Sequence, residues 1–214
     1  IAGRADGQHR HKKQTGGAGQ FGEVYLKVEP LPRGEGFKFV DEVKGGVVPG
    51  QFIPAVEKGV RQAMDEGFVA GYPIQDLKVT VYDGKYHAVD SKEIAFVSAG
   101  KKAFQSALEK ARPVVLEPMV TIRITAQGEA MGDITADLST KRGRVSNTEA
   151  LNGGRMVISA LVPLAELDGY SSRLKSITGG EGTYDLAFSH YDPVPDNVQR
   201  TLAQKYQESH HGGE

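Results

Sequence analysis

The chain has 214 residues, 39% of them apolar and 25% charged, with a formal net charge of −1 and no cysteine; that length holds one large or two small domains, each able to bury a core. Disulfides and thiolate zinc sites are excluded, and neither a signal-peptide pattern nor an apolar run near the roughly 20 residues that span a bilayer occurs, which predicts a cytoplasmic, globular protein with no membrane partner. Net neutrality hides a local asymmetry: residues 1–20 carry Arg4, Arg10, Lys12 and Lys13 against Asp6 alone, enough for a phosphate-attracting patch or for an ordinary solvated strand.

In chain order, Ile1-Ala2-Gly3-Arg4 runs without an initiator methionine into strand-like sequence, as expected of a piece of a longer polypeptide. The basic run His9-Arg10-His11-Lys12-Lys13 then enters Gly16-Gly17-Ala18-Gly19-Gln20-Phe21-Gly22, and alternation predicts a strand over 22–30. Gly17, Gly19, Gly22 and Val24 spell G-x-G-x-x-G-x-V, the pattern of a kinase nucleotide loop. A dinucleotide fingerprint would have to open a helix, and a kinase needs a strand lysine, H-R-D, D-F-G and A-P-E, none of which is in the chain. What remains is a flexible basic tip suited to RNA.

Further along, a turn at 31–36 leads to a short strand over 37–43. Pro54 then sits in the first turn of a helix whose stripe is Ile53, Val56, Val60, Ala63 and Met64, ended by Gly67. Residues 76–82 alternate as a strand, and Asp83-Gly84 reads as a turn with glycine at positive φ, opening an exposed connection to 89. Asp90 and Glu93 have capping-box spacing for a helix reaching about 110, with Phe96, Gly100, Ala103, Phe104, Ala107 and Leu108 buried. Pro113 stops it.

Residues 113–118 form the predicted boundary. Beyond it the pattern becomes a near-repeat: strand 119–126, helix 129–142, strand 144–148, then strand 155–162, helix 163–178, strand 183–191. Two interleaved β-α-β units of this kind make a ferredoxin-like sandwich. A last helix from about 195 carries Val198, Leu202 and Tyr206 as a stripe that must dock, with the first domain the expected partner. The fold class is therefore α+β.

No catalytic set assembles. Asp133 and Asp137 share a helix face and suit either a divalent cation or the helix dipole. His9, His11 and His87 have the spacing of a metal trio if two loops meet, but no carboxylate orients them, so histidines of a polar hairpin are the favoured reading. Lys141, Arg142 and Arg144 at a helix end serve either the dipole or phosphates. A sheet of the RRM type is disfavoured, since its aromatic strand signatures do not occur.

Several motifs fall together in order: residues 11–22, Val28-Glu29-Pro30-Leu31-Pro32, Gly45-Gly46-Val47-Val48-Pro49, Tyr82 to Ser91 (YDGKYHAVDS), Leu116-Glu117-Pro118-Met119, Gly132-Asp133-Ile134, Arg142-Gly143-Arg144 and Val162-Pro163-Leu164. From about Gln8 to Gln207 the chain strongly resembles the C-terminal part of bacterial elongation factor G, the translocation GTPase. The resemblance implies a domain IV over 1–117, an elongated β-α-β domain with a left-handed crossover that breaks the usual handedness rule. It implies a ferredoxin-like domain V over 118–194, then a C-terminal helix and tail over 195–214.

By the same resemblance, the domain IV tip enters the decoding region of the ribosome and contacts tRNA and mRNA. Gln14, Thr15, Gly16, Gly17, Gly19 and Gln20, with Tyr86, His87 and Asp90 from the second loop, are the implied contacts, and the charges of Arg10, Lys12 and Lys13 add phosphate attraction beside them. Domain V is implied to face ribosomal RNA near the stalk base of the large subunit, with Lys141, Arg142 and Arg144 as its candidate phosphate contacts. One departure falls at Ala18, where many members carry arginine. No G-x-x-x-x-G-K-[ST] occurs here, so GTP and magnesium are expected in another part of the parent, with no cofactor, metal or catalysis in this chain and a monomeric state. A paralogue specialised for ribosome recycling, or an auxiliary ribosomal factor, is the alternative.

Overall fold

The computed structural model describes residues 1–14 and 16–211, without the side chain of residue 211. The chain divides into two compact units, one of Ile1–Val115 together with the segment from Pro195, the other of Leu116–Val194.

The first unit is built on a four-stranded sheet of β1 (Ala5–Lys13), β2 (Gln20–Pro30), β3 (Phe37–Asp41) and β4 (Leu77–Lys85), in the order β1-β2-β4-β3. The β1/β2 hairpin and the β2/β4 pair are antiparallel, whereas β3 and β4 are parallel neighbours. The connection from β3 to β4 runs through α1 (Ile53–Glu66). After β4 comes α2 (Glu93–Lys110), and both helices bury the stripes their periodicity predicts, Val56, Val60, Ala63 and Met64 on α1, Phe96, Ala103, Phe104, Ala107 and Leu108 on α2. These close over Val24, Leu26, Val28, Leu77, Val79 and Val81 of the sheet, each large side chain contributing about 1.5–3 kcal/mol of transfer free energy.

Glycines set how closely these layers approach. A methyl group at Gly59 of α1 would fall on the Val97 carbonyl of α2, and one at Gly100 would lie 2.7 Å from the Val56 carbonyl oxygen. The two helix backbones are thus in near contact, which only residues without a side chain permit at those positions.

The Asp83-Gly84 turn does not form. A bulge opposite Tyr25/Leu26 absorbs the extra residue Tyr82, and β4 continues to Lys85. Gly84 is needed there because a side chain would strike the Glu23 carbonyl and Val48, not because its φ is positive. At the far end of the sheet Asp76, buried and with φ of 61°, accepts hydrogen bonds from the Gly34 and Gly36 amides at 3.1 and 2.9 Å and so folds the 31–36 turn.

α5 (Asp196–His211) belongs to this unit, as the stripe required. Its Gln199 accepts from the Val115 amide at 2.9 Å and donates to the Pro113 carbonyl at 3.2 Å, while Tyr206 packs on Gly71.

The second unit contains β5 (Leu116–Gln127), α3 (Met131–Thr140), β6 (Arg144–Ala150), β7 (Arg155–Pro163), α4 (Tyr170–Thr178) and β8 (Thr183–Pro193). The sheet order β6-β7-β5-β8, all antiparallel, is the ferredoxin-like arrangement read from the repeat. Its core is Val120, Ile122, Ile124, Ile134, Leu138, Ile158, Val162, Tyr170 and Leu174. The predicted helix over 163–178 is shorter: Leu164–Leu167 form a 3-10 turn, and Gly169, at φ 69°, starts α4 in a new direction. That left-handed residue cannot continue a right-handed helix.

Candidate RNA-facing tip

The last pair of the β1/β2 hairpin is Lys13 with Gln20, so residues 14–19 form its tip. Thr15 lies outside the described residues. Gly16 has φ of 50°, a conformation side chains resist, and Gly17 and Ala18 are exposed.

A second loop, residues 86–90 between β4 and α2, comes to the base of this tip. The Phe21 amide donates to the Asp90 carbonyl at 2.9 Å, making a one-residue parallel bridge between Phe21 and Ser91. The rings of Phe21 and His87 meet edge to face at 5.9 Å between centroids. Gly19 is required where it stands, since a methyl group there would lie 2.8 Å from the Asp90 carboxylate. Asp90 therefore does not cap α2: the residue before that helix is Lys92, with no side-chain cap bond, and the Asp90 carboxylate faces Gly19 and His87 Nδ1, 3.7 Å away.

The two loops enclose a cavity of about 200 Å³ lined by Lys12, Gln14, Gln20, Phe21, His87 and Asp90. Its lining mixes a cation, two amides, a carboxylate and two rings, the inventory that serves phosphate, sugar edges and base faces. His87 is 62% exposed, and beside it Tyr86 and Val89 are 47% and 81% exposed. Among the described residues no carboxylate pairs with Lys12 or Lys13, so both charges face solvent.

Arg10 differs. Its Nε donates to the buried Glu23 carboxylate at 3.0 Å, which also accepts from Gln8 and Tyr25. Burial alone would raise the Glu23 pKa, but the bonds from Arg10, Tyr25 and Gln8 outweigh it and hold the carboxyl below its ordinary range. The charge of Arg10 is thus compensated within the sheet, before the strand reaches the tip.

His9 is partly buried, and that burial, followed by Lys102 and His11 nearby, depresses its pKa. His11 Nε2 is bonded to Gln20 Oε1 at 2.9 Å. Among the described residues no group of three or more His, Asp or Glu is placed to hold a metal ion. Asp137, one of the carboxylates weighed for a cation, is buried and accepts from Arg173 Nε at 2.8 Å, while Asp133 stays exposed.

In the second unit the three cations near 141–144 part company. Lys141 is half-buried and Arg144 exposed, without ion pairs among the described residues. Arg142 turns inward: its guanidinium grips Glu117 with two bonds of 2.6 and 3.0 Å and Glu166 with a third of 3.0 Å. It is committed to the fold rather than offered to a phosphate.

Comparison with known proteins places this geometry. The profile described as elongation factor G, domain IV matches residues 1–112, and that of the elongation factor G C-terminus matches residues 114–202. The chain belongs to the elongation factor G family. A crystal structure of a protein from Thermus thermophilus is similar over 97% of the chain at 40% identity, with a TM-score of 0.82. The chain spans 31% of that protein's length. No helix among the described residues is long and apolar enough to cross a membrane.

Within this elongation factor G domain IV, the sequence reading names the tip cations and His87 but not Phe21 and Ser91, through which the two loops are joined. Phe21 reads as part of the glycine-rich loop, since the predicted strand begins at 22, whereas β2 starts at Gln20. Ser91 stands two residues ahead of Glu93, the first residue of α2, and no local spacing points to its contact with Phe21.

Proposed function

We propose that this chain is the ribosome-engaging part of a cytoplasmic translational GTPase that promotes movement of tRNA and mRNA, with the tip of its first unit entering the decoding region. The observation that carries this reading is the tip itself. Lys12 and Lys13 stand unpaired beside a cavity walled by Phe21 and His87, and the glycine-rich hairpin lets backbone approach RNA closely. Lys141 and Arg144 are the cations of the second unit assigned to ribosomal RNA at the stalk base, with Arg142 acting as an internal tie. GTP and magnesium belong, in this proposal, to the part of the longer relatives that this chain does not span, since no phosphate-cradling G-x-x-x-x-G-K-[ST] is present.

Electrostatic attachment through the two lysines makes binding salt-dependent. In equilibrium binding of the chain to ribosomes, the doubly substituted Lys12→Gln, Lys13→Gln variant is expected to bind more weakly and to flatten the plot of log affinity against log salt by roughly 1–2. Unchanged affinity and slope would remove the tip from the interface.

A further inference from the structure

We infer that Ser91 is the positioning residue of the tip, a clasp that presents His87 and Phe21 to RNA; this rests on the tip reading above. The Ser91 hydroxyl accepts the His87 amide at 2.7 Å and donates to the Phe21 carbonyl at 3.0 Å. The Ser91 amide donates to the His87 carbonyl at 2.9 Å. One residue thus holds both backbone polar groups of His87 and fastens them to a strand 70 positions earlier in the chain.

The N-cap position of α2 belongs to Lys92, and Ser91 stands one residue further out, where its hydroxyl is not held by the first helical turn. Here α2 has no side-chain cap bond, and the hydroxyl is given to the loops instead. The clasp is needed because the loop has little else to order it. Residues 85–89 are all exposed, and the apolar Val89 points to solvent. With few buried contacts, a segment of this kind opens locally at low cost. The bonds to Ser91 and the Phe21 amide to the Asp90 carbonyl are what fix the His87 ring against Phe21 and shape the cavity. Ser91 is only partly buried and outside the hydrophobic core, so its side chain acts on the tip without supporting the sheet.

The test compares Ser91→Ala with Ser91→Thr, which keeps the hydroxyl, in the full chain. Hydrogen exchange of the His87 amide is expected to accelerate tenfold or more in Ser91→Ala and to stay within about threefold in Ser91→Thr, with both melting transitions unmoved. Chemical protection of decoding-region nucleotides on ribosomes should fall in Ser91→Ala and return in Ser91→Thr. Unchanged His87 exchange in Ser91→Ala overturns the clasp. Faster exchange with full protection overturns its role in recognition. If the unsubstituted chain protects no decoding-region nucleotide, the tip reading itself fails and the recognition role falls with it, whichever way the exchange measurement comes out.

Discussion

Replacing Arg142 with alanine is expected to destabilise the second unit by about 2–4 kcal/mol, the range for removing one member of a buried ion pair, trimmed for partial exposure. Glu117 is 7% exposed and receives two of the three guanidinium bonds; without Arg142 its carboxylate is left buried beside Glu166 with no cation. The backbone sets glycine apart from the other replacements. Arg142 has φ of 58° and follows α3 as its left-handed residue, with the Gly143 amide closing on the Leu138 carbonyl at 2.8 Å. Glycine is the residue that position favours, and a side chain there costs about 1–2 kcal/mol.

Arg142→Gly should therefore be less damaging than Arg142→Ala by about 1 kcal/mol, while still less stable than the arginine form. Lysine keeps the charge but loses the fork that grips Glu117 and Glu166 together, and should fall between. Urea unfolding of the four forms, followed by circular dichroism, checks the order. Equal stabilities for alanine and arginine would mean that the ion-pair network contributes nothing net.

Gly59→Ala is expected to destabilise the first unit by about 1–3 kcal/mol, reversing the usual sign of this exchange. Alanine in a helix normally gains up to about 1 kcal/mol over glycine. At Gly59 the added methyl would meet the Val97 carbonyl and lie 2.8 Å from the Lys101 amide nitrogen, both backbone atoms of α2 that cannot swing aside. The helices would have to part, opening the layer that buries Val56, Val60, Phe96 and Ala103. Gly132 of α3 is the control: it is exposed, with nothing within 4 Å of the added carbon. Gly132→Ala should raise stability by a few tenths of a kcal/mol. Thermal unfolding of both variants reads the contrast, and a stabilised Gly59→Ala would show that the helices tolerate separation.

Local periodicity made much of the fold legible. The apolar stripes of α1 and α2 and the repeated strand-helix-strand order of the second unit need only the spacings of 3.6 and 2. What escaped depends on contacts between distant residues. The bulge at Tyr82 is a property of the β2/β4 register, and Asp90 looks like a helix cap until Gly19 and Phe21 are seen beside it. Arg142 reads as a surface cation because nothing in sequence places Glu117 and Glu166 around it. The break at Gly169 was hidden because Leu164, Leu167 and Leu174 keep a helical spacing across it.

For the site, composition pointed to Lys12, Lys13 and the glycines, and the resemblance added Tyr86 and His87. The architecture that unites them, Phe21 and Ser91 joining a hairpin to a loop some 70 residues away, exists only in three dimensions.

The absence of native cysteine allows a single, unambiguous chemical label. Ala18→Cys carrying an iron chelate that generates hydroxyl radicals marks whatever RNA lies beside the tip, and Lys141→Cys does the same for the second unit. With ribosomes, the label at 18 is predicted to cut small-subunit RNA around the decoding region, while the label at 141 cuts large-subunit RNA near the stalk base. Cuts from position 18 confined to the large subunit would contradict the account.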